Sequence, residues 1–102
     1  MSIKKQFLKS KNAFRVTWTI NKATAGAAKK IFLAGDFNHW SEVESEFTAL
    51  KNGSFKYVTE LPKDNQYQFR YLLDGKQWIN DNDADGFVDN LISGEQNCLI
   101  SL

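Results

Sequence analysis

Few residues of this chain carry reactive or recognition chemistry, and their surroundings separate them. There are three tryptophans, one histidine and one cysteine. Trp40 follows the turn-rich Gly35-Asp36-Phe37-Asn38-His39 and precedes the polar run Ser41 to Glu46. Trp78 follows the Asp74-Gly75 turn and precedes an acidic stretch. Both therefore sit near turns among polar neighbours, outside alternating strands. A rim tryptophan presents a flat apolar face and an N–H that can stay wet. That suits the C–H face of a pyranose, whose hydroxyls need polar partners at the edge. Arg70 and Asn97, on polar strand faces, are the candidate partners. The competing reading is that both tryptophans cap the ends of the core. Average tryptophan burial favours capping while composition alone is considered.

Enzyme chemistry finds no complete set. A Ser/His/Asp triad would have to use His39, beside Trp40, and no Gly-x-Ser-x-Gly elbow accompanies it. A thiol nucleophile would have to be Cys98, which lies in the last strand, where a small buried hydrophobe is the expected role. Carboxylate pairs are uninformative among twelve acids. No phosphate loop or zinc spacing occurs. The reading is a protein that is not an enzyme and needs no cofactor.

One metal motif is half present. Asp81-Asn82-Asp83-Ala84-Asp85-Gly86 matches the start of a calcium loop, with oxygen ligands Asp81, Asp83 and Asp85 at alternate positions and the turn glycine sixth. The twelfth position is Ile92 where a bidentate Glu belongs, Glu95 comes three residues late, and the flanks are not helical. The expectation is a solvated acidic loop and no metal.

The elements that would hold these residues show a period of two. In Phe14-Arg15-Val16-Thr17-Trp18-Thr19-Ile20 the even positions are apolar, a half-buried strand that turns Trp18 inward. Tyr67-Gln68-Phe69-Arg70-Tyr71 alternates likewise, with Gln66, Gln68 and Arg70 on the other face. Phe55 to Leu61, Lys30 to Ala34 and Asn97 to Leu102 read as strands, and Lys5 to Leu8 as an edge strand. Asn52-Gly53 and Asp74-Gly75 are hairpin signals, and Pro62 to Asn65 is a turn. Asn21 to Lys30 offers one or two helical turns, weakened by Gly26. The span 79–96 reads as a long polar loop, of a length that is often functional. Phe14, Trp18, Tyr67, Phe69 and Tyr71 are assigned to the core. Short strands at this spacing predict an all-β, antiparallel sandwich.

The chain has 102 residues, one domain by length, too short for a β/α barrel of about 250 residues. Its net charge of +1 advertises neither nucleic acid nor an anionic membrane. The N-terminus lacks the apolar core of a secretory signal, and a single cysteine forms no internal disulfide, so a cytoplasmic location is expected. Aromatic residues, at 14%, are more than such a core must use.

Two strings resemble a known family. Ile31-Phe32-Leu33-Ala34-Gly35-Asp36-Phe37-Asn38-His39-Trp40 is one. Tyr67-Gln68-Phe69-Arg70-Tyr71-Leu72-Leu73-Asp74-Gly75-Lys76-Gln77-Trp78, followed by Asn80-Asp81, is the other. Both look like the family-48 carbohydrate-binding modules, the early-set immunoglobulin-like domains that precede the barrel of isoamylases and branching enzymes. The same modules form the glycogen-binding domain of the AMP-activated protein kinase beta subunit. Gly94 to Ile100 fits the family's last strand, and the N-terminus looks like small free-standing bacterial members.

The resemblance implies an immunoglobulin-like sandwich of about 7–8 strands over residues 13–102, with 1–12 an N-terminal extension or edge strand. It implies that Trp40 and Trp78 stack on glucose rings and that Asn97 bonds sugar. Arg70 stands where the family has a lysine, still a cationic donor but with a different fork. Ile92-Ser93-Gly94-Glu95 departs from the family's leucine-glycine-threonine finger. The implied function is non-catalytic binding of α-1,4-glucan: glycogen, starch or maltooligosaccharide. The alternative is a scaffolding module that packs on a separate glucan-metabolising enzyme without binding sugar itself. Nucleic acid and membrane are not implied as partners.

Overall fold

The computed structural model describes residues 2–90 and 94–102. Among the described residues, nine strands form two antiparallel sheets. The first sheet orders β1 (Ser2–Leu8), β2 (Ala13–Ile20), β5 (Phe55–Pro62) and β4 (Thr48–Ala49) as β1-β2-β5-β4. The second orders β3 (Ile31–Gly35), β6 (Gln66–Leu73), β9 (Gln96–Ser101) and β8 (Gly86–Asp89) as β3-β6-β9-β8. The short β7 (Gln77–Ile79) also pairs with β6. The all-β sandwich expected from the alternation is the observed architecture, with more strands than the expected seven or eight.

The inward faces meet in an aromatic core. Val16, Trp18 and Ile20 of β2 and Phe69 and Tyr71 of β6 are fully buried. Trp18 meets Phe69 edge-on with ring centres 5.9 Å apart, joining the two sheets. The Trp18 indole N–H has no hydrogen-bond partner among the described residues. Phe14 and Tyr67, expected inside, are only half-buried at the rim, where they pack against the core.

Several expectations need correction. The span 79–96 is not one long loop, because β8 pairs along β9 from Gly86↔Leu99 to Asp89↔Gln96. Its alternation is too short to stand out from the polar residues around it. β1 begins at Ser2 and pairs with β2 from Ser2↔Thr19 to Leu8↔Ala13, so the first strand is longer than Lys5 to Leu8. The helix is a single turn, Lys22–Ala25, with Asn21 accepting from Thr24 N at its start and Gly26 ending it at φ 58°. Both glycine turns form: Gly53 has φ 86°, and Asp74 and Gly75 have φ 52° and 68°. No helix of the described residues is long and apolar enough to cross a membrane.

One feature of β6 governs the site. Its edge away from β3 is shared by two strands. β9 pairs with Gln66 to Phe69, and β7 pairs with Tyr71 to Leu73. Arg70 lies where one partner ends and the other begins.

A candidate carbohydrate-binding groove

On the outer face of the β3-β6-β9-β8 sheet, Gln68, Arg70 and Leu72 alternate outward, opposite buried Phe69 and Tyr71. Ala34 lies across from Arg70, and Phe32 and Trp78 lie across from Leu72 on its two sides. Asn97 follows the same parity on β9, beside Val88. An open groove of about 530 Å³ runs over this face, and Trp40, Arg70, Trp78 and Asn97 all line it. The four residues singled out by the sequence are thus brought together. Gln68, Glu42, Asn90 and Glu95 complete the lining. Gln68 was legible as a polar-face residue. Glu42 and Asn90 carry no local signal, because long-range folding brings them here.

Trp40 reaches the groove through a tight turn. After β3 the chain forms a short 3-10 helix, Asp36–Asn38, then turns with His39 and Trp40 in the left-handed region at φ 57° and 58°. Two successive non-glycine residues there are strained. Hydrogen bonds hold them. Trp40 N donates to Gly35 O at 2.8 Å, and the Trp40 indole donates to Asp36 Oδ1 at 2.9 Å. The other oxygen, Asp36 Oδ2, accepts from Gln68 N of β6 at 2.8 Å. This corrects the expectation that a rim indole N–H stays wet: the carboxylate takes it, and the ring offers its face. Buried Asn38 braces the turn, accepting from Gly35 N and donating to Leu33 O and Ser45 Oγ. Gly35 has no room for a side chain, since a Cβ would lie 2.6 Å from Gln68 O. His39 is exposed.

Trp78 is placed differently from expectation. It is in strand β7, paired with Leu72. The segment is too short for alternation to show. Half-buried Trp78 packs beside Arg70, whose guanidinium carbon lies 5.9 Å from its ring centre.

Arg70 is 6% exposed, and its charge is partnered. Nε donates to Asn80 Oδ1 at 2.7 Å and Nη2 to Glu95 Oε2 at 3.0 Å. Asn80 Nδ2 donates to Gln96 O at 2.8 Å. Asn80 therefore bridges the gap between β7 and β9 and clamps Arg70 in it. Asn97 donates to Gln68 Oε1 at 3.1 Å, and Asn90 donates to Asn97 Oδ1 at 3.4 Å.

Most of the acidic stretch is exposed as expected, with Asp83, Asp85 and Asp89 at the surface, but Asp81 departs from that expectation. Asp81 is fully buried and accepts from the Tyr71 hydroxyl at 2.7 Å and from Asp83 N at 2.8 Å. Burial, then the Asp81 carboxylate, hold the Tyr71 hydroxyl well above its ordinary pKa. Asp81 N donates to the buried Cys98 sulfur, whose thiol burial pushes up. Asp85 points elsewhere, to Lys5 and Ser101 N. Asp81, Asp83 and Asp85 are not gathered, and among the described residues no group of three or more His, Cys, Asp or Glu could hold a metal ion. Ile92, the failing position of the calcium pattern, lies outside the described residues, as does Ser93.

This chain is similar to a kinase subunit. Over 56 residues, 55% of its length, it is 32% identical to 5'-AMP-activated protein kinase subunit beta-1 of Sus scrofa. The matched part is 42% of that relative. The subunit of Rattus norvegicus is 34% identical over 56 residues, 19% of its length, and that of Homo sapiens 30% over the same share. The chain spans less than half the length of these relatives. No family model matches it.

Proposed function

We propose that this domain is a non-catalytic module that binds α-1,4-glucan, of the family-48 carbohydrate-binding type. One observation carries the reading. Trp40 and Trp78, far apart in sequence, line one open groove together with Arg70 and Asn97. The kinase-subunit similarity supports it at the level of ancestry.

The mechanism follows from what the side chains have left to offer. The Trp40 N–H is taken by Asp36, and Arg70 is clamped by Asn80 and Glu95. Binding then comes chiefly from the two ring faces against pyranose C–H groups. Amide groups of Gln68 and Asn97, and the Arg70 N–H groups beyond the two that Asn80 and Glu95 take, serve the hydroxyls at the edge. An open groove of this kind binds a single short chain weakly. It gains from a polymer that presents many equivalent sites. The partner is a neutral polysaccharide or maltooligosaccharide, in the setting of a glycogen- or starch-metabolising enzyme.

Co-sedimentation with glycogen tests the reading. The wild-type protein is expected in the pellet, and Trp40→Ala and Trp78→Ala in the supernatant with unchanged circular dichroism. Wild-type protein left in solution would favour the scaffolding alternative, in which the same aromatics face a protein.

A further inference from the structure

The aromatic groove does not end at Trp78. Across β6, Trp78 pairs with Leu72, and Leu72 pairs on its other side with Phe32. The three form one row over the outer face, and two strand spacings, about 9.5 Å, separate Trp78 from Phe32. A second depression of about 430 Å³ lies at the Phe32 end, and its lining is mostly apolar. Phe32, Leu72 and Val43 form its apolar part, and Lys29, Lys30 and Asp74 also line it. Glu42 lines both depressions, so the two adjoin there. Val43 is 78% exposed. Its loop is held, since Val43 N and Glu44 N donate to Ser41 Oγ at 3.3 and 3.1 Å. Further on, Glu46 bridges to Phe32, and Leu33 N donates to Ser45 O. The loop therefore stands as a wall along β3.

We infer that the Phe32–Val43 depression is an extension subsite, taking further glucosyl units of the same α-glucan chain that lies on Trp40 and Trp78. The inference rests on the proposed glucan reading. Three features favour a sugar chain as occupant. The depression adjoins the tryptophan groove at Glu42. A half-exposed Phe32 ring and the Val43 side chain face the C–H surfaces of a pyranose. Lys29, Lys30 and Asp74 also line the depression and bring polar groups that suit hydroxyls. The chemical consequence is selectivity for length: short chains occupy the tryptophans alone, and longer ones gain from the added apolar contact.

Calorimetric titration with maltotriose and maltoheptaose tests this on the full chain. Wild-type affinity is expected to rise between the two sugars. Val43→Ser is expected to weaken maltoheptaose binding roughly threefold and Phe32→Ser about fivefold, with maltotriose unchanged. Val43→Trp, at an exposed position that cannot disturb the core, is expected to tighten maltoheptaose several-fold and leave maltotriose alone. If both Val43 variants match wild type for both sugars while Trp40→Ala loses binding, the extension is overturned and the glucan reading stands. If wild-type protein binds neither sugar, both fall.

Discussion

The Arg70 guanidinium lies against the Trp78 ring, 5.9 Å from carbon to ring centre, while its nitrogens bond Asn80 and Glu95. One cation thus orients the ring and closes the gap that β7 and β9 leave along β6. A lysine keeps the charge but has no planar fork to hold Asn80 and Glu95 together. Arg70→Lys is expected to weaken maltoheptaose binding by roughly three- to tenfold, and Arg70→Ala by more. Arg70→Ala also leaves Asn80 Oδ1 without its donor and is expected to cost about 1–2 kcal/mol of stability. The exposed Glu95 side of the pair contributes little to that figure. Calorimetric titration and urea unfolding read the two effects separately. Unaltered affinity in Arg70→Lys would show that the fork is not used.

Asp36 spans the two halves of the groove, with Trp40 on one oxygen and the Gln68 backbone on the other. Without it, the left-handed conformations at His39 and Trp40 lose a restraint and the ring is free to turn. Asp36→Ala is expected to reduce glucan affinity about tenfold and to change Trp40 near-ultraviolet circular dichroism. The far-ultraviolet spectrum should stay as in wild type. Asp36→Asn keeps one acceptor oxygen and should fall between. Wild-type affinity in Asp36→Ala would mean that the turn alone positions Trp40.

Where sequence and structure part company, length and locality explain it. The β2 alternation is long, and it correctly turned Val16, Trp18 and Ile20 inward. β7 and β8, of three and four residues, are too short for a period to stand out, so Trp78 and the stretch around Val88 looked like loop. Nothing local announces the burial of Asp81, because Tyr71, ten positions away, supplies its hydroxyl. Glu42 and Asn90 reach the groove only through folding. Trp40, Arg70, Trp78 and Asn97, which their motifs single out, line one groove, whereas the alternation alone leaves Trp40 and Trp78 undecided between surface and core.

Lys5 of β1 holds Asp85, which also accepts from Ser101 N. Burial pushes the Asp85 carboxyl upward, but the Lys5 bond, the Ser101 N–H and the Lys5 charge outweigh it and leave the pKa lowered. A carboxyl lowered in the folded state adds stability above the unfolded value, about 3.9, and that stability is lost as pH falls through the folded value. The wild-type protein is expected to lose this contribution below about pH 4. Asp85→Asn should lower stability at pH 6 and flatten the acid limb of a melting-temperature profile. Because the pair is partly exposed, added salt should shrink the difference. Parallel acid limbs in the two proteins would remove Asp85 from the account.

The Tyr71–Asp81 bond makes the opposite prediction at high pH. Burial first, and the neighbouring carboxylate second, raise the Tyr71 phenol well above its ordinary value of 10.0. A group raised in the folded state stabilises fully below its unfolded pKa, and the contribution disappears as pH rises through the folded value. Stability should therefore fall above about pH 10. Tyr71→Phe removes the titrating group and flattens that alkaline limb. At neutral pH it costs about 1–3 kcal/mol, because the buried Asp81 carboxylate loses a donor and, among the described residues, keeps the Asp83 N–H. Spectrophotometric titration near 295 nm, with urea unfolding at pH 7 and 10.5, measures both. A Tyr71→Phe protein as stable as wild type at neutral pH, with the same alkaline limb, would show that Asp81 does not depend on this hydroxyl. The bond would then have no part in holding the turn that joins Trp78 to β8.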